Sequence, residues 1–193
     1  MSAFIADPLQ ASPRPMHVQL LGEFDVRIDG QRVEWVRRKD AALFKYLVLA
    51  PFGRVSRAEL CERFWPMHDR QQAAQNLRTT CSNIRTALRH CLPRSRADEY
   101  FTSVGRDIVL RADLALTDLS LFMDRVAAAR AAMAERRLDL AIAEYESART
   151  LYRGPLILDT EAEVHATLAR DLDDAFAEAQ RHITALRGLR AVA

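Results

Sequence analysis

Hydrophobic and polar residues alternate along HVQLLGEFDVRIDGQRVEWV, residues 17–36. Val18 and Leu20 have polar neighbours, as do Phe24, Val26 and Ile28, and the pattern resumes at Val33 and Trp35 after Asp29-Gly30. Period-two alternation is that of a half-buried strand. Asp-Gly between two such runs predicts a type I′ hairpin, because both turn positions need positive φ. The chain is therefore expected to open with a small antiparallel sheet. Over RRKDAALFKYLVLA, residues 37–50, the period becomes helical, with Leu43, Phe44, Leu47, Val48 and Ala50 on one face and Pro51 and Gly53 as terminators. Three cations, Arg37, Arg38 and Lys39, stand at the start of this helix. A helix N-terminus prefers anions, so the cluster suits an anionic partner or plain solvation. In SRAELCERFWP, residues 56–66, Ser56 and Glu59 have capping-box spacing, Leu60, Phe64 and Trp65 form the inner face, and Pro66 closes the element.

The next helix is predicted over 73–90. Leu77, Cys81, Ile84 and Leu88 recur at intervals that bury one narrow stripe. Arg78, Thr79, Ser82, Asn83, Arg85, Thr86 and Arg89 lie off that stripe, with no acid among them. Arginine mixed with short hydrogen-bonding side chains fits a major groove: arginine bridges phosphates or reads guanine, asparagine reads adenine, and threonine methyls meet thymine. A basic surface helix is the plainer alternative. Tyr100 and Phe101, then Ile108, Val109 and Leu110, flank a turn at Gly105 and predict a hairpin. Sheet, three helices and a final hairpin make a winged helix-turn-helix.

From 119 onward the strand pattern disappears. DLSLFMDRVAAARAAMAERR predicts an alanine-rich helix with Asp118 as N-cap. LDLAIAEYESARTLYRGP predicts a second, its stripe Leu138, Ile142, Tyr145, Ala148 and Tyr152, and residues 160–187 a third with Glu161 and Glu163 in its first turn. The packing style is tetratricopeptide-like, although that repeat's period is not seen twice. The expected fold is an α+β winged helix-turn-helix over 16–115 followed by an all-α helical domain over 116–193, with 1–15 a flexible tail.

Charge supports this division. Residues 16–115 hold 17 Lys+Arg against 12 Asp+Glu, and 116–193 hold 10 against 13. A basic half joined to an acidic half suggests different partners. No apolar run reaches membrane-spanning length and no secretion signal is visible, so a cytoplasmic location is expected. Cys61, Cys81 and Cys91 match no zinc spacing, and neither a GxxxxGK[ST] nor a GxGxxG loop is present. The five histidines are scattered, and Asp171, Asp173 and Asp174 do not share one helix face. No catalytic residue, cofactor or metal is expected, and the chain does not read as an enzyme.

The segments LLGEFDVRIDG, RRKDAALFKYLVLAPFGRVSRAELCERFWP, NLRTTCSNIRTALR and LYRGPLILD, in this order, resemble the SARP-type (Streptomyces antibiotic regulatory protein-like) transcriptional regulators. Those join an OmpR-like winged helix to a bacterial transcriptional activation domain. The resemblance implies that the third helix enters the major groove through Thr79, Thr80, Ser82, Asn83 and Arg85. It also implies that Arg57 and Trp65 lie near the phosphate backbone, and that the wing, Thr102 to Arg106, approaches the minor groove. The loop 67–72, with Met67, His68, Asp69 and Arg70, corresponds to the segment that contacts RNA polymerase. The expected function is that of a sequence-specific DNA-binding regulator, an activator, whose partners are double-stranded promoter DNA, RNA polymerase or another regulator, and a second copy in a homodimer. The alternative is a protein-interaction adaptor whose winged helix no longer reads DNA. It is favoured by Asn83 and Val104, where relatives often carry arginine.

Overall fold

A computed structural model describes residues 16–159 and 163–192. The tail expected over 1–15, together with Glu161, lies outside the described residues. Strands β1 (Met16–Gln19), β2 (Asp25–Ile28) and β3 (Gln31–Arg32) form the predicted opening sheet, with Val18 paired to Val26 across an antiparallel ladder. Asp29 and Gly30 both take positive φ, 54° and 78°, as their turn demands. A fourth strand comes from far along the chain: β7 (Ala115–Thr117) runs parallel to β1, giving the order β3-β2-β1-β7. The domain boundary expected at 115/116 therefore falls inside a strand.

Helices α1 (Arg38–Leu49), α2 (Arg57–Phe64) and α3 (Arg70–Cys91) follow, and β4 (Arg54–Ser56) joins the wing strands β5 (Phe101–Val104) and β6 (Asp107–Leu110) in the order β4-β6-β5. The short helix α4 (Arg94–Tyr100) was not expected. Ala97 and Tyr100, three apart, face the core from its last turn, and Phe101 enters the core directly after. Two consecutive inward side chains mark this helix-to-strand junction, where a strand alone would send them to opposite faces.

Helices α5 (Asp118–Ala134), α6 (Leu138–Leu151) and α7 (Glu163–Val192) make the second half. The buried stripe of α6 is Ala141, Tyr145 and Ala148, and Leu138, expected inside, is exposed. Arg130 of α5 grips both carboxylate oxygens of Glu178 on α7 at 2.9 and 2.5 Å, and Tyr145 of α6 donates to the same carboxylate at 3.2 Å. One apolar core runs through both halves, from Met16 and Leu47 to Phe122, Tyr145 and Ile183.

Two caps differ from expectation. Thr117, not Asp118, is the N-cap of α5, accepting from Ser120 N at 2.9 Å. Asp118 instead turns back, accepting from Leu20 N at 2.7 Å and Leu21 N at 3.1 Å. These amides lie just past the end of β1, so a carboxylate of the helical half closes the sheet of the other half. At α2, Ser56 Oγ accepts from Glu59 N at 3.1 Å, but the Glu59 carboxylate does not reach back; it accepts from Tyr46 Oη on α1 at 2.6 Å.

Candidate nucleic-acid interface

Helix α3 is longer than expected because Asp69 caps it, accepting from Gln72 N at 2.8 Å. Its 22 residues include no Asp or Glu. Ala73, Leu77, Thr80, Cys81, Ile84, Ala87 and Leu88 are buried against the other helices. At 100° per residue, the opposite face is centred on Gln71, Gln75, Arg78, Ser82 and Thr86, and all five are exposed.

This geometry sorts the expected contact residues. Arg78 and Ser82 are exposed on the outer face, where they were expected. Thr80 was expected on that face too, but it is only 4% exposed and belongs to the core, three residues from Leu77 and four from Ile84. Thr79 is half-buried, with its hydroxyl donating to Gln75 O at 3.1 Å. Asn83 lies on one flank and donates to Asp40 Oδ2 of α1 at 3.1 Å. Arg85 lies on the other flank, donating to Ser103 Oγ of the wing at 3.2 Å, its guanidinium 5.2 Å from the centre of the Phe101 ring. Arg89 is paired with Asp98 of α4 at 2.9 Å. Asn83, Arg85 and Arg89 thus hold α3 between α1, the wing and α4. Gln71 and Gln75 share the outer face and were not among the expected residues, although the phase of the buried stripe already pointed away from them.

The supporting elements are tied to one another. The amide of Arg57, first residue of α2, donates to Arg106 O at 2.9 Å, which fastens the wing turn to the α2 N-terminus. Thr102 is half-buried in the wing, and Arg106 and Val104 are exposed at its tip. Trp65 is 6% exposed, so its ring is largely inside; the Lys39 ammonium sits 5.1 Å from the ring centre and donates to Phe64 O at 2.9 Å. In the loop between α2 and α3, Met67 is 92% exposed and His68 and Asp69 are also exposed, as is Arg70, the first residue of α3. A groove of about 650 Å³ opens beside this loop, lined by Arg57, Cys61, Trp65, His68, Arg70 and Ala73 among others. Burial pushes the Cys81 thiol up to about 11, so this side chain is neutral packing. Among the described residues no three His, Cys, Asp or Glu are grouped to hold a metal ion.

Around α3, six arginines have no carboxylate partner among the described residues: Arg37, Arg38, Arg57, Arg70, Arg78 and Arg106. They come from the start of α1 and the residue before it, from α2, from α3 and from the wing turn. A surface of unpaired guanidinium groups around an acid-free helix is electrostatically complementary to a polyanion.

The comparisons with known proteins agree with this architecture. Residues 117–189 match the family model of the bacterial transcriptional activator domain. Among solved structures, the chain is similar to Mycobacterium tuberculosis EmbR in complex with a low-affinity phosphopeptide, with a TM-score of 0.63 and 21% identity. That likeness covers 93% of this chain and 43% of the EmbR chain, so this chain spans less than half of EmbR's length, and at this identity the likeness is one of fold. No curated protein matches the sequence. The fold is thus a winged helix followed by a helical half that matches the bacterial transcriptional activator domain. Among the described residues no helix is long and apolar enough to cross a membrane.

Proposed function

We propose that this protein is a sequence-specific DNA-binding transcription regulator, acting as an activator in the cytoplasm, that lays α3 in the major groove of promoter DNA. The observation that carries this reading is the outer face of α3: Gln71, Gln75, Arg78, Ser82 and Thr86, exposed, without an acid, and ringed by unpaired arginines. Glutamine pairs with adenine through two hydrogen bonds and arginine with guanine, so Gln75 and Arg78 are the base readers; serine and threonine serve either base or phosphate. Arg57, Arg70 and Arg106 contact backbone. The exposed loop Met67–Arg70 meets RNA polymerase, and the acidic helical half mediates self-association or contact with another regulator.

The test is selection from a pool of random duplexes, followed by affinity measurement across salt concentration. The expected result is one enriched sequence, bound with an affinity that falls steeply with salt, roughly 0.9 log unit per log unit of salt for each phosphate contacted. Recovery of no sequence and binding indifferent to salt would overturn the reading and leave the adaptor role, which the internal engagement of Asn83, Arg85 and Arg89 favours.

A further inference from the structure

Two of the three cations at the start of α1 are not explained by the fold; the third, Lys39, is held by Phe64 O and the Trp65 ring. Arg37 and Arg38 are exposed, and neither makes an ion pair among the described residues. Their position costs stability, because the positive end of a helix macrodipole disfavours cations. The negative charge close by, Asp40, is 0% exposed and takes its hydrogen bonds from the Arg37 backbone amide and the Asn83 side chain, both at 3.1 Å, not from either guanidinium. The Asp40–Asn83 bond fixes where this N-terminus lies: against the flank of α3, with Asn83 about 100° around the helix from Ser82. Arg85, which reaches the wing, is about 60° around in the opposite sense. The face of α3 is therefore bordered by the wing on one side and by the start of α1 on the other.

From this placement we infer that Arg37 and Arg38 form a phosphate-binding site for the DNA strand that borders the groove on the side away from the wing, with Asn83 and Asp40 as its positioning pair. The inference rests on the DNA reading of α3 given above. An α-helix with its side chains is about 10–12 Å across. The major groove is about 12 Å wide. A helix seated in that groove fills it, and whatever stands at the helix flank meets the bordering phosphates. Arg38 is two residues from Asp40 and Arg37 three, a separation of at most roughly 7 and 11 Å along the backbone. Both guanidinium groups are free to turn outward from there, and a phosphate oxygen pair accepts the two parallel N–H groups of an arginine. This contact adds affinity and fixes register but carries no base preference.

The test is an Arg37→Gln/Arg38→Gln double variant of the full chain, with Arg149→Gln on α6 as a remote control of equal chemistry. The probes are the duplex recovered from random-sequence selection and a scrambled duplex of the same length. The double variant is expected to bind both duplexes roughly 50-fold more weakly at 0.1 M salt, and its salt slope is expected to be shallower by roughly 1.8. The ratio of the two affinities is expected to hold, the thermal midpoint to hold or rise slightly as the cations leave the helix N-terminus, and Arg149→Gln to change nothing. An unchanged slope overturns the site. So does a loss of affinity that comes with a lowered midpoint and an unchanged slope, because that would make the arginines supports of the fold. A wild-type protein with no salt-dependent binding would instead refute the DNA reading itself.

Discussion

Replacing Asn83 by alanine separates two roles that the sequence alone could not separate. If Asn83 faced the groove, the change would leave the fold intact or improve it, since alanine is better in a helix than asparagine by up to about 0.7 kcal/mol. The structure gives the opposite sign. Asp40 is fully buried, and among the described residues its Oδ1 has no partner and its Oδ2 accepts only from Arg37 N and Asn83 Nδ2. Losing Asn83 leaves a buried carboxylate with a single donor. A hydrogen bond to a charged group contributes about 1.5–3 kcal/mol. Subtracting the gain in helix propensity, Asn83→Ala is expected to destabilise by about 1–2.5 kcal/mol. In a chain of this size that lowers the thermal midpoint by roughly 2–10 °C. Thermal unfolding followed by circular dichroism reads this directly, with Ser82→Ala, its exposed neighbour, as a control expected to raise the midpoint slightly. A double-mutant cycle with Asp40→Ala isolates the pair and should give a coupling of about 1 kcal/mol or more. A midpoint for Asn83→Ala at or above wild type, or a coupling under about 0.5 kcal/mol, would refute the argument.

Three further predictions concern base reading, pH and backbone. Arg78→Ala is expected to cost about 1–3 kcal/mol of specific DNA binding and to relax preference at one base pair, and an unchanged specificity ratio would remove Arg78 from the readers. His165, 5% exposed, lies edge-on to the Tyr46 ring at 4.8 Å, and burial first, then Arg63, hold its imidazole below the ordinary 6.5 against the pull of Glu59. Its folded pKa is lower than its unfolded one, so the unfolded chain takes the proton first; stability from this group is complete above about 6.5 and is lost as pH falls from there. Thermal midpoints from about pH 7.5 to about pH 5.5 should drop for wild type and less for His165→Phe, and equal slopes would contradict the assignment. Gly53 has φ +63°, and a Cβ there would stand 2.1 Å from Leu110 O, whereas Gly105, at φ +59°, has no atom within 4 Å. Denaturant unfolding should show a loss of roughly 3 kcal/mol or more for Gly53→Ala and about 1 kcal/mol for Gly105→Ala; similar losses would mean that backbone strain alone governs both.

Features with short-range causes were legible in the sequence. The Asp29-Gly30 turn, the Ser56 cap and the α3 stripe each depend on residues within a few positions of one another. Features set by distant partners were not. Strands β4 and β7 have three residues each, too few to carry a period, and exist because β6 and β1 pair with them. Glu59 has a local use as a capping-box member, and a tyrosine 13 residues away takes its carboxylate instead. At the candidate interface the helix and its charge are readable in the sequence, but side-chain type does not report the rotation of the helix. Thr80 and Ser82 look alike in sequence, yet they differ by about 200° around α3, and only one faces outward. Asn83 looked like a base reader because its acceptor, Asp40, lies 43 residues earlier.

Strand β7 hands over to α5 without an intervening residue: Thr117 ends one and Asp118 begins the other. The ladder with β1 and the Asp118 carboxylate hold this joint from two directions, and Lys45, paired with Asp159 at 2.5 Å, holds the halves together again at the α6–α7 connection. A winged helix cut out at residue 115 would lose an edge strand and strand two amides, so it is not a cassette to be moved between proteins on its own. Mechanically, the helical half is a handle. A torque applied to it by a second copy or another protein is not absorbed by a slack tether but passes into the sheet, into α1, and through Asp40 and Asn83 to α3.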